Sequence, residues 1–313
     1  MKMLTSTTAN WSSVTSDDPH NCYPENIPEK KPIAILYMII VILGIPSNCF
    51  SLFVSCQHIR QNKELGIYLF NLALADLCFI MTLPIWVDYT LKDQWQHGGT
   101  ACTACVFLLF THFYTSAALL CCISVDRYVA VVHPLNFLSM RRTTTAIAIS
   151  VLMWVISITF SAVTVSLQHN YEDSVCLDVL PMSSAQPKVN IARCVIGFLI
   201  PAILVGFCSR GIYVQMKTNQ AIKAEERKKV SRLLLVILLT LWLCFGPIHI
   251  ILVLRALLED CGQPTWLYVS YKVSVAISSL NCLADPLLYC FITRSGRASV
   301  TQVFFTIRRK LGT

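Results

Sequence analysis

The sequence predicts an all-α membrane protein, a seven-transmembrane helix bundle followed by a short amphipathic eighth helix. Three observations predict it. Of 313 residues, 55% are hydrophobic and only 13% charged, about half the ~25% charged residues of a soluble domain. Seven apolar stretches, at about 33–57, 66–91, 101–125, 143–167, 189–214, 233–257 and 266–292, are each long enough to cross a bilayer. The connections between them alternate in charge.

Residues 1–32 are polar and read as an extracellular segment, with Asn10-Trp11-Ser12 as a glycosylation sequon and no cleavable signal. Residues 33–292 form the transmembrane domain. Its first stretch, Ile33–Gln57, carries no charge at all. Arg60 and Lys63 follow span 1, Arg141 and Arg142 span 3, and Lys217 and a run from Lys223 to Arg232 span 5. The opposite connections collect acids such as Asp17, Glu29, Glu172, Asp173 and Glu259. Basic residues mark the cytoplasmic side, so the expected protein is multi-pass in the plasma membrane with its amino terminus outside. Residues 293–313 form a cytoplasmic amphipathic helix and short tail, with Val300, Val303, Phe304 and Ile307 set among basic residues against the membrane lipids. Continuous apolar runs exclude an outer-membrane barrel, and the composition excludes a soluble enzyme. The net charge of +8 lies on the connections, so no nucleic-acid partner is expected. Cys102 and Cys105 form a C-x-x-C with no second pair, so no metal centre of the zinc type is expected.

Two acids lie inside the apolar stretches, Asp76 in span 2 and Asp285 in span 7. Charges there are costly and usually functional. Neither has a basic neighbour in its own span, so each must pair across helices, bind a cation or carry a proton. Asp126-Arg127-Tyr128 closes span 3.

The chain resembles a class A (rhodopsin-like) G-protein-coupled receptor over essentially its whole length. The resemblance rests on Gly44-Ile-Pro-Ser-Asn48, Asp76, Asp126-Arg127-Tyr128, Trp154, Pro201, Cys244-Phe245-Gly246-Pro247 and Asp285-Pro286-Leu-Leu-Tyr289, one motif per span in order. It implies no enzymatic activity and a heterotrimeric G protein as partner. It also implies a disulfide between Cys102 and Cys176, and an activation switch of Asp126, Arg127, Tyr128, Phe245, Pro247, Pro286 and Tyr289. Pro201 and Pro247 are expected to bend their helices. Arg227 stands where an acid usually locks Arg127, so Arg127 is expected to rely on Asp126 alone.

Narrower features resemble the proton-sensing and lysophospholipid-associated receptors: Glu64-Leu-Gly-Ile-Tyr-Leu, Thr82-Leu-Pro-Ile-Trp-Val-Asp-Tyr89, Cys121-Cys-Ile-Ser-Val-Asp126 and Ser279-Leu-Asn-Cys-Leu-Ala-Asp285. That likeness implies a second disulfide, Cys22 to Cys261. It places His112, Ser116 and Asn281 beside Asp76 and Asp285 in a buried site for a sodium ion or a proton. Burial and like charge both oppose ionisation, so two acids sharing such a site can hold a proton. Histidine titrates over the relevant pH range, which makes His20, His97, His169 and His249 further candidates. Ser157 occupies the place of a glutamate found in the most pH-responsive members. Protons are the expected signal. The alternative is an anionic lysophospholipid or oxidised fatty acid, its head held by Lys188, Arg193, Arg255 and Lys272. A proton-coupled seven-helix transporter is the alternative from another class.

Overall fold

The computed structural model describes residues 30–134, 142–168, 171–172, 175–177, 184–218, 224–258 and 265–292. The described chain forms α1 (Lys30–Arg60), α2 (Leu65–Lys92), α3 (Gly98–Val132), α4 (Thr143–Ser166) and α5 (Gln186–Thr218), then α6 (224–258) and α7 (265–292). A two-strand hairpin, β1 (Tyr171–Glu172) antiparallel to β2 (Val175–Cys176), lies between α4 and α5. The first six helices are each long and apolar enough to cross a membrane, and α7 crosses in two pieces, Thr265–Ser278 and Asn281–Ile292. The predicted eighth helix lies outside the described residues, as do Asn10, Cys22 and Cys261.

Irregular turns precede Pro84, Pro201 and Pro247. In α2 the break falls between Ile80 and Leu83, with Pro84 in the first turn of the second piece, a position that tolerates proline. The bends expected at Pro201 and Pro247 take the form of π-turns just before each one, over Val195–Leu199 and Thr240–Phe245. The Ile200 N–H reaches back five residues to the Val195 carbonyl, and the Gly246 N–H to that of Leu241. A wide turn of this kind lets a helix absorb a proline while keeping most of its ladder.

α3 is the central helix, in contact with α2, α4 and α5. Its buried residues recur on every face, from Cys102 through Leu109, Ser116 and Ile123 to Asp126. α4 buries mainly small residues, Ala146, Ser150, Ser157, Ser161 and Thr164, while Ile147, Val151, Leu152 and Val155 point outward. An apolar exterior around a core containing buried polar groups is the pattern lipid imposes, and small residues let helices approach closely there.

A tight approach joins α1 to α2. A Cβ added at Gly66 would lie 2.7 Å from the His58 Cβ and 3.2 Å from the Ile59 backbone nitrogen, neither of which can swing aside. Gly66→Ala is therefore expected to cost about 1–3 kcal/mol through overpacking. Gly206→Ala, with nothing within 4 Å of the new atom, is the matched control. Thermal unfolding of the two purified variants checks the difference.

Candidate functional site

Three polar centres lie along the bundle. The middle one is built on Asp76, which is fully buried (0% exposed) on α2. Its Oδ1 lies 2.9 Å from His112 Nε2 on α3. The imidazole is 2% exposed and stacks on Phe79 with ring centroids 4.7 Å apart. From α7, the Cys282 sulfur sits 3.6 Å from the same His112 nitrogen. Asn281 donates through Nδ2 to Asp285 Oδ2 at 2.9 Å, and Asp285 is buried. Asn48 on α1 donates to the carbonyls of Gly44 and Cys282, at 3.0 and 2.9 Å, closing the ring of helices. The structure thus brings Asp76, His112, Asn281 and Asp285 into one buried layer with Ser116.

Asp76 Oδ2, Ser116 Oγ, Asn281 Oδ1 and Asp285 Oδ1 are buried without a hydrogen-bond partner. Oxygen donors of this kind suit a hard cation, so the residues fit a sodium ion, with His112 competing for Asp76. In sequence Cys282 carries no legible role, because a cysteine in an apolar run reads as a small hydrophobe.

At one end of the bundle, Arg127 donates through Nε to Asp126 Oδ2 at 2.8 Å and through Nη2 to the same oxygen. Asp126 does not act alone. Glu64, at the start of α2, places Oε1 3.6 Å from Arg127 Nη2. This corrects the expectation drawn from the missing acid at Arg227: a glutamate from α2 supplies the second carboxylate. The signal lay in Glu64 itself, an acid at the foot of span 2, with its partner set by helix packing. Tyr128 packs edge-on against His133 and beside Phe207, with centroids 5.7 and 5.6 Å apart. Phe245, fully buried, meets Phe113 edge-on at 5.8 Å, directly before Gly246 and Pro247. Pro286 lies inside the second piece of α7, and the Tyr289 side chain lies outside the described residues.

At the other end a disulfide joins Cys102 on α3 to Cys176 on β2. Of the candidate cations, Arg193 and Arg255 lie on segments of α5 and α6 that pack together, and both neighbour Tyr271. Lys188 is exposed. Arg193 is buried against Phe110, its guanidinium carbon 3.5 Å from the ring centroid, and donates to Thr164 Oγ1 at 3.3 Å. Arg255 is buried over Tyr271 at 4.2 Å. Lys272 lies above Tyr268 and Tyr89, 4.7 and 5.3 Å from their centroids. It lines a separate cavity among α1, α2 and α7 with Lys30, Tyr37 and Trp86.

The histidines are dispersed. His97 pairs with Asp88 at 3.1 Å near the surface. His249 Nδ1 is 2.7 Å from the Phe245 carbonyl, and the ring stacks on Phe198 at 5.5 Å. His20 and His169 lie outside the described residues.

A seven-helix bundle with a charged layer at its centre, an Asp-Arg pair at one end and a disulfide at the other defines a membrane receptor. The chain belongs to the 7 transmembrane receptor (rhodopsin family), which it matches over residues 47–289. It is similar to human G-protein coupled receptor 65, 39% identical over 86% of this chain and 85% of that protein. Bos taurus G-protein coupled receptor 68 is 34% identical over 93% of this chain and 82% of its own length. Gallus gallus lysophosphatidic acid receptor 6 is 29% identical over 87% and 93% respectively. The protein is a multi-pass receptor of the plasma membrane that couples to G proteins, and its family is not enzymatic.

Proposed function

We propose that this receptor responds to extracellular protons, with its amino terminus outside, and transmits the signal by opening the Arg127 end to a heterotrimeric G protein. The observation that carries the reading is the buried His112–Asp76 contact at 2.9 Å beside Asp285. The charged and titratable groups facing His112 are Asp76 from α2 and, from α7, Cys282 with Asp285 beyond it. From α1, Asn48 contributes only a neutral amide.

Acidification adds a proton to His112, so that the hydrogen bond between a neutral imidazole and the Asp76 carboxylate becomes a bond between opposite charges. The added Coulomb attraction changes how α2 and α3 are held together. When His112 is neutral, Asp76, Ser116, Asn281 and Asp285 would hold a sodium ion, which supplies the positive charge by another route. The orientation is supported by the basic connections at the Arg127 end.

Magnitudes spread the sensing over several groups. Moving a resting–active equilibrium from 1:99 to 99:1 takes about 5.5 kcal/mol, and a one-unit difference in proton affinity between the two states supplies about 1.4 kcal/mol. His112 accordingly carries a share, joined by the His97–Asp88 pair and by Asp285. Second-messenger output in transfected cells, followed from about pH 8 to about pH 6 across the histidine range, tests the reading. His112→Asn is expected to move the half-maximal pH by about one unit. An unchanged curve removes His112 from the mechanism. A flat response in the parent receptor, with a response to added lysophospholipid, replaces protons by the lipid.

A further inference from the structure

Arg193 is, with Arg255, one of two fully buried arginines among the described residues, and Tyr271, which lies under Arg255, is near it as well. Arg193 is 1% exposed on α5, and among the described residues no carboxylate pairs with it. Its Nη2 donates to Thr164 Oγ1 at 3.3 Å, and the Thr164 hydroxyl itself donates to the Ser161 carbonyl at 3.2 Å. The face of Phe110, 3.5 Å away, offsets only part of the cost of burying a guanidinium. Buried charges are otherwise paired, because desolvating an ion costs several times what one ring face returns.

Two donors in this layer have no acceptor, Arg193 Nε and the Tyr114 hydroxyl. Tyr114, on α3 and 6% exposed, adjoins the guanidinium. The surroundings are tight. One turn further along α5, a Cβ added at Gly197 would lie 2.8 Å from the Tyr114 ring and 2.9 Å from His249 Nε2.

We propose that Arg193 and Tyr114 form a binding site for a small monovalent anion of about chloride size, seated between α3 and α5. The guanidinium supplies the charge and an N–H, and the phenol supplies an O–H. Burial selects a single small ion over a phosphate or a lipid head, because a divalent or bulky group would need water or further cations around it. The ion ties α3 to α5. The site goes beyond the proton reading and stands whether or not protons are the trigger.

The test uses full-length receptor in lipid nanodiscs, with sodium chloride exchanged for sodium gluconate at constant pH and ionic strength. Chloride is expected to raise the thermal unfolding midpoint saturably, and bromide to substitute for it. Arg193→Gln should abolish the effect. Tyr114→Phe should weaken apparent chloride affinity about tenfold, the value of a hydrogen bond to a charged group. Arg255→Gln should leave the effect in place.

If Arg193→Gln does not fold, Tyr114→Phe decides the matter. A midpoint indifferent to chloride overturns the site. So does a chloride effect unaltered by Tyr114→Phe, or one lost on neutralising the loop acids Glu172, Asp173 and Asp178 together. Stabilisation by oleate where chloride has no effect would instead make Arg193 a lipid-head residue and end the proposal.

Discussion

Cys176→Ser is expected to leave little folded receptor at the cell surface. The bond to Cys102 closes a loop with a sequence separation of 74, and a soluble chain of that loop length would lose about 4 kcal/mol without it. Two membrane helices lie within the loop, α3 beyond Cys102 and α4 after it, and both stay inserted when the tertiary fold is lost. Their lipid anchoring already restricts the unfolded chain, which brings the expected loss toward the 2–4 kcal/mol usual for a disulfide. That remains a large fraction of a typical folding free energy of 5–15 kcal/mol. Surface staining against total expression is the measurement, with Cys105→Ser as the comparison. Cys105 is a buried free cysteine on the same helix, and its serine variant should reach the surface in near-normal amounts. Equal surface levels of the Cys176 and Cys105 variants would show that the hairpin holds without its covalent link.

The second large effect is expected at Glu64. Arg127 is gripped by Asp126 from its own helix and by Glu64 from α2. Only the second grip crosses between helices. Its removal by Glu64→Gln frees Arg127 toward the position where a G protein enters, so signalling without stimulus should rise. The two side chains are 20% and 11% exposed, which places the pair between a surface bridge, worth about 0–1 kcal/mol, and a fully buried one. An intermediate value of about 1 kcal/mol corresponds to roughly fivefold more active receptor at rest. Glu64→Asp keeps the charge on a shorter arm and should fall between. Basal second-messenger output normalised to surface expression reads the effect. Output equal to the parent receptor in both variants would assign the restraint to Asp126 alone.

How much of this was visible in the chain before its fold follows from the physics at each place. The seven spans were legible because lipid demands long uncharged runs, and the helices found at Lys30–Arg60 and Thr143–Ser166 overlap the predicted stretches closely. Asp76 and Asp285 stood out because an acid within such a run has few bland explanations. The position of His112 was legible only through resemblance, since a histidine on an apolar helix does not announce which face it occupies. Glu64 and Tyr114 were missed as participants. Their roles depend on which side chains of two different helices meet, and neither spacing nor composition carries that information. The neighbours of Arg193 and Lys272 were illegible for the same reason: Phe110 reaches the one and Tyr89 the other from a different helix. The bends at Pro201 and Pro247 were anticipated in place, but their form as π-turns was not, because proline forbids one hydrogen bond without stating which substitute the helix adopts.

The wide turn at Thr240–Phe245 has a consequence for register. It accommodates one residue more than a regular turn, so everything on its amino-terminal side is rotated by about 100° relative to an unbroken helix. The stretch from Ala224 to Leu239 therefore presents a different stripe of side chains to the G-protein end than helical periodicity counted back from Pro247 would give. A single-residue deletion within the turn would dial that stripe round by the same angle while sparing the membrane span, and would recast which residues the transducer meets.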